Sequence, residues 1–80
     1  MRLDKFLKVS RLIKRRTLAK EVCDAGRVEI NGRSAKAASE VKPGDLLTIG
    51  FGGKQVRVEV LELAENVPAV LAKNLYRTLE

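Results

Sequence analysis

The sequence predicts an α+β domain, and three observations predict it. Apolar residues recur at helical spacing through the first 25 positions. From Arg27 to Leu63 they alternate with polar ones, broken by glycine-containing turns. Pro68 then opens a last helical stripe made of Val70, Leu71, Leu75 and Leu79. Two helices, a set of short strands and a short C-terminal helix follow from that order.

Arg2 to Ile13 reads as the first helix. Leu3, Phe6, Leu7, Ser10 and Ile13 share one face, and Arg2, Lys5, Lys8 and Arg11 sweep the opposite side. Asp4 in the first turn suits the positive end of the helix dipole and is spaced to pair with Lys8. The apolar face is narrow and a second helix follows at once. This favours packing within the protein over lying on a membrane.

Thr17 is placed to cap the second helix. Leu18, Val22 and Ala25 form its apolar face, with Cys23 at the border as a semi-buried small hydrophobe. Gly26 sits where a helix ends in a left-handed residue. Lys14, Arg15 and Arg16 stand directly before the helix, where positive charge is unfavourable. Free N–H groups and flanking cations converge at such an end, which makes it a good anion site.

Arg27 to Ile30 alternates as a short strand, and Asn31-Gly32 is a hairpin turn. Arg33 to Lys36 is the return, and Ala37 to Val41 shows no clear period. Lys42-Pro43-Gly44-Asp45 makes a turn, Leu46 to Ile49 a strand, and Gly50-Phe51-Gly52-Gly53 a second turn. Lys54 to Leu63 is the longest strand, with a bulge or bend near Val60 where the alternation loses phase. Leu7, Ile13, Leu18, Val22, Val28, Ile30, Val56 and Val58 are the expected core. The expected organisation is a domain over 1–63 and a helical tail over 64–80 packed on or beside it.

The net charge is +6. Residues 1–36 carry eleven Lys/Arg against four Asp/Glu, a net of +7, and residues 37–80 carry five against six. The whole excess lies in the first half, which favours an anionic partner, most often nucleic acid. There is no histidine and one cysteine, so no internal disulfide and no Cys/His metal cluster can form. No cofactor is expected. The usual general base is missing and the carboxylates are scattered. Gly50 to Lys54 faintly resembles a phosphate loop but lacks its spacing, and a strand follows instead of a helix. Binding, not catalysis, is the default. The charged N-terminus is no secretory signal and no apolar run reaches transmembrane length, so a cytoplasmic protein is expected.

These residues also carry a resemblance. Arg2-Leu3-Asp4-Lys5, Arg16-Thr17-Leu18-Ala19, Gly26-Arg27-Val28, Ile30-Asn31-Gly32, Lys36 and Val41 to Asp45 resemble the S4 RNA-binding domain, the alpha-L motif. Their order and spacing over residues 1–49 are specific. The resemblance implies two packed helices on a small, curved, mostly antiparallel sheet, with structured RNA bound by the helix pair and the adjacent loop. The first 22 residues are most similar to the stand-alone quality-control branch of the family. That implies large ribosomal subunits, 23S rRNA and P-site peptidyl-tRNA as partners, and a part in untemplated alanine tailing with the factor RqcH. The small ribosome-associated heat-shock branch is the alternative. Its members carry a longer C-terminal extension, and Phe6 stands where they would have tryptophan.

The candidate RNA contacts are Lys14, Arg15, Arg16 and Lys20 around the second helix start. Arg2 and Lys5 add to them from the first helix, and Arg27, Arg33 and Lys36 from the hairpin. Arg2 and Lys5 are expected to face one RNA and Lys14 to Lys20 another. With few aromatics, phosphate and shape recognition should dominate over base stacking. A helix-turn-helix DNA reader is the rival, but Glu21 and Asp24 on its second helix would meet DNA phosphate poorly. A monomer is expected.

Overall fold

In the computed structural model, which describes residues 1–79, the first apolar stripe forms α1, Leu3–Val9. The helix is shorter than its periodicity. The Ser10 hydroxyl donates to the Leu7 carbonyl at 3.3 Å, and Arg11 turns the chain with a left-handed φ of 66°. The Ile13 N–H then returns to the Leu7 carbonyl at 3.0 Å. Ile13 is therefore buried with the α1 face although it lies outside the helix.

The second helix, α2, spans Arg16–Asp24. Arg15, not Thr17, occupies the capping position, with extended backbone and no side-chain cap, so Thr17 lies inside the first turn. The buried face is Ala19 and Cys23. Leu18, an expected core residue, is 45% exposed, and Ala25 is exposed as well. The helix turns its small residues inward because a small contact surface lets two helix backbones lie close together. Gly26 ends α2 at φ 77°, with its N–H on the Cys23 carbonyl and the Arg27 N–H on the Val22 carbonyl.

The strands form one five-stranded antiparallel sheet, ordered β2-β1-β3-β4-β5. β1 (Val28–Ile30) and β2 (Arg33–Ser34) are joined by Asn31-Gly32, with φ of 53° and 82° as a tight hairpin requires. Asn31 also uses its side chain. It accepts from the Leu46 N–H at 2.9 Å and donates to the buried Asp45 at 3.1 Å, which in turn accepts from the Lys42 N–H. The hairpin and the Lys42–Asp45 turn are thereby clipped together.

β3 (Leu46–Phe51) and β4 (Lys54–Val60) form the central hairpin. β4 stops at Val60, so the expected bulge is an exit from the sheet. The expected last helix is reduced to α3, Ala69–Ala72, and a 3₁₀ turn, Lys73–Leu75. Tyr76–Leu79 is β5, paired with β4 from Val60↔Tyr76 to Arg57↔Leu79. Val70 and Leu71 are exposed, and only Leu75 of the proposed stripe is buried. The free edge of β4 offers β5 a full set of hydrogen bonds, which a local pattern cannot reveal. Glu80, at the end of the expected tail, lies outside the described residues.

Both helices cover one face of the sheet. Leu3, Phe6, Leu7 and Cys23 pack with Val28, Leu47, Ile49, Val58 and Val60. Of the expected core, Leu7, Ile13, Val28 and Val58 are buried, and Val22, Ile30 and Val56 are half-buried against it.

Candidate nucleic-acid interface

The two helices begin beside one another, in different states. At α1 the Leu3 N–H bonds the Ser39 carbonyl at 2.7 Å and the Asp4 N–H bonds the Ala37 carbonyl at 3.2 Å. That start is closed by the 37–41 loop, which also takes the Met1 ammonium on Glu40. At α2 no side chain caps, and Ala19 to Arg15 is the first backbone bond, 3.0 Å. The N–H groups of the first turn are left to solvent or to a ligand.

Asp4 ties the two starts together. Its side chain is 4% exposed. It accepts from Arg2 Nε at 3.1 Å and Nη2 at 3.3 Å, and from Arg16 Nη2 at 3.5 Å. These arginines replace Lys8 as its expected partner. Burial works against the carboxylate charge, but hydrogen bonds and positive charge from Arg2 and Arg16 outweigh it and hold Asp4 below its ordinary pKa. Both arginines stay about half exposed, 46% and 48%, so each keeps free N–H edges for a second acceptor.

Lys14, Arg15 and Lys20 are exposed on or near the first turns of α2, and Arg27, Arg33 and Lys36 are exposed near the β1–β2 hairpin. None of the six makes an ion pair among the described residues. Lys36 sits in a braced loop. Its N–H bonds Ser39 Oγ at 2.9 Å, and the Ala37 N–H bonds Asp24 Oδ1 at 3.2 Å. Asp24 is thus a structural acceptor at the end of α2. Lys5 differs from the rest: it is half-buried and paired with Glu65. Arg2 therefore groups with Arg16 and not with Lys5 on a separate edge.

Two features escaped the sequence reading. Asp4 as a shared acceptor was signalled only by its place between two arginines and two helix starts. Arg11, exposed and left-handed, occupies a position usually given to glycine. Cys23 is fully buried, not semi-buried, and burial together with the charges of Asp4 and Asp24 pushes its thiol up to about 11. Such a thiol is unreactive at neutral pH. No helix among the described residues is long and apolar enough to cross a membrane.

The S4 domain profile matches residues 1–47, the segment holding both helices, Asp4 and the hairpin. The chain belongs to the S4-domain family. It is 64% identical over its whole length to the RQC P-site tRNA stabilizing factor of Bacillus subtilis, covering 93% of that protein. It is 62% identical to the protein of the same name from Halalkalibacterium halodurans, with 95% of this chain and 86% of that one aligned. Among solved structures, a trimeric Heat Shock Protein 15 from Vibrio cholerae superposes with a TM-score of 0.90 at 31% identity. The superposition covers 99% of this chain and 81% of the other. The α+β fold, with helices on one face of an antiparallel sheet, is shared with it.

Proposed function

We propose that this S4-domain chain is a non-catalytic RNA-binding factor of ribosome-associated quality control. In this reading it binds the large ribosomal subunit through 23S rRNA and steadies peptidyl-tRNA in the P site during untemplated alanine tailing. The tailing factor RqcH is its partner there, and the cytoplasm its location. One observation carries the reading: two half-exposed arginines are fixed by one buried carboxylate beside an uncapped helix start. Similarity to two RQC P-site tRNA stabilizing factors supplies the setting.

The chemistry is recognition. Arginine forks suit phosphate, and the open N–H groups of α2 suit the same anion. Asp4 orients Arg2 and Arg16 before RNA arrives, which lowers the ordering cost of binding. The braced loop holds Lys36, with Arg33 nearby on β2, as a second group of cations. Two groups allow two RNAs to be held at once, so each raises the affinity of the other by effective concentration.

Occupancy should then depend on the tRNA. Purified large subunits with and without peptidyl-tRNA, pelleted with this protein, provide the comparison, and the loaded subunits should retain far more. Equal retention would remove the bridging mechanism. The likeness to a Heat Shock Protein 15 favours a second reading, recycling of subunits without tailing. Loss of the protein should shorten or abolish alanine tails on stalled chains. Tails of unchanged length would select the second reading.

A further inference from the structure

Of the turn Gly50–Lys54 and the strand face around it, only the adjoining Arg27 belongs to the surface described above. Glu29, Thr48, Gly50 and Gln55 alternate with core residues and so lie on the sheet face away from the helices. They meet in register, Glu29 opposite Thr48 and Gly50 opposite Gln55. Together with Arg27 and Lys54 they line a cleft of about 580 Å³ between the α2–β1 turn and the β3–β4 turn. Arg27 and Lys54 have no ion-pair partner among the described residues.

Gly50 is the informative residue. Gly26, Gly52 and Gly53, which also line the cleft, have left-handed backbone and are needed for their turns. Gly50 does not have left-handed backbone and lies inside β3, where glycine weakens a strand. A Cβ there would meet the Arg27 carbonyl oxygen at 3.5 Å, an ordinary contact. Neither backbone nor packing requires glycine at this place. Its effect is to keep the floor of the cleft open for close approach.

We propose that this cleft takes one unpaired nucleotide of an RNA strand, its phosphate on Arg27. The inference rests on the reading of the chain as an RNA-binding factor. Glu29, Thr48 and Gln55 supply acceptors and donors for a ribose 2′-hydroxyl and a base edge. A strand fits better than a free nucleotide because the cleft does not end there. A second hollow of about 450 Å³ shares Glu29, Thr48 and Gln55 and continues to Asn31, Arg57 and Leu79.

The test uses the full ¹⁵N-labelled chain with three probes: a short single-stranded RNA of mixed sequence, an RNA duplex, and a nucleoside 5′-monophosphate. The single strand should shift the amides of Gly26, Gly50, Gly52 and Gly53. Gly50→Val places a strand-favouring side chain in the floor. It should keep or raise the melting temperature while weakening single-strand binding roughly tenfold. Arg27→Ala should reduce the salt slope for the single strand by about 1. Gly50→Ala repeats the test with a smaller intrusion if the valine does not fold. A folded Gly50 variant with unchanged affinity would overturn the proposal, as would a monophosphate that binds as tightly as the single strand or a duplex that shifts the same four glycine amides. Subunit binding, lost in Arg16→Ala but kept in the Gly50 variants, would leave the proposed function standing and overturn the cleft alone.

Discussion

The starts of α1 and α2 are joined through Asp4, which pairs with Arg2 and Arg16, yet one is finished by the protein and the other is not. At α1 the loop carbonyls of Ala37 and Ser39 take the first N–H groups, and Leu3, Phe6 and Leu7 are fully buried behind them. At α2 there is no cap, the preceding residues are cations, and Leu18 faces out at 45% exposure. A closed helix end and an open one differ in whether the protein meets its own hydrogen-bonding demand. Charge alone would not have told them apart, because both starts carry arginine.

The largest expected effect breaks the comparison at the level of stability. Leu7→Ala, within α1, should cost about 2–5 kcal/mol, a large share of a small domain's stability. Leu18→Ala, in the first turn of α2, should cost roughly 1 kcal/mol or less because the side chain is already half in water. Denaturant melts of both variants check this. A Leu18 variant as damaged as the Leu7 variant would mean that the α2 start is core after all.

Next in size is binding. Arg16→Ala removes one charged fork beside the open helix end and should weaken subunit binding by about 1.5–3 kcal/mol. Lys54→Ala should do less, and Lys73→Ala, on the 3₁₀ turn, least. The affinity of the unaltered protein should fall steeply with salt, as expected for roughly 4 to 8 phosphate contacts. Equal losses across the three variants would deny α2 any special role, and a flat salt response would indicate docking on protein.

A smaller effect sharpens the contrast by reversing it. Arg15→Ser gives α2 the cap it lacks and should stabilise the fold by about 1 kcal/mol. The new hydroxyl would occupy an N–H that α2 leaves open, and one cation would go, so binding should fall as stability rises if RNA binds there. A variant that is more stable and binds equally well would show that the open end is incidental.

The sequence made the local devices legible and left the non-local ones hidden. Gly26, Asn31-Gly32 and Lys42–Asp45 act through their own backbone and were readable in place. The cations around α2 stood out in the sequence because they oppose the helix dipole. Leu18, Val22 and Ala25 were placed on the inner face of α2 by helical spacing, but close helix packing selected the small side chains of Ala19 and Cys23. Tyr76 to Leu79 has a helical stripe ahead of it and becomes a strand only because β4 presents an edge. Asp4 looked like a dipole partner with a lysine one turn away. Its real partners come from residue 2 and from the next helix, and spacing within α1 contains neither.

The smallest effect concerns the link itself. Asp4 is held below its ordinary value of 3.8, so its charge contributes stability that is complete above that value. The contribution is lost as pH falls through the lower folded-state pKa. Asp4→Asn keeps an acceptor oxygen but removes the charge. The stability gap between the two proteins should be constant near neutrality and close in acid, in the window below 3.8. A gap that stays constant to the lowest pH would mean that shape, not charge, joins the helix starts. The same variant gives an opposed pair of expectations for RNA. It raises the net charge by one, which by attraction alone strengthens binding. It also releases Arg2 and Arg16 from their shared anchor, so their order must be imposed at the moment of contact. If the geometry at the two helix starts governs recognition, Asp4→Asn should bind large subunits more weakly despite the added charge. Tighter binding would show that Asp4 masks the arginines and does not present them.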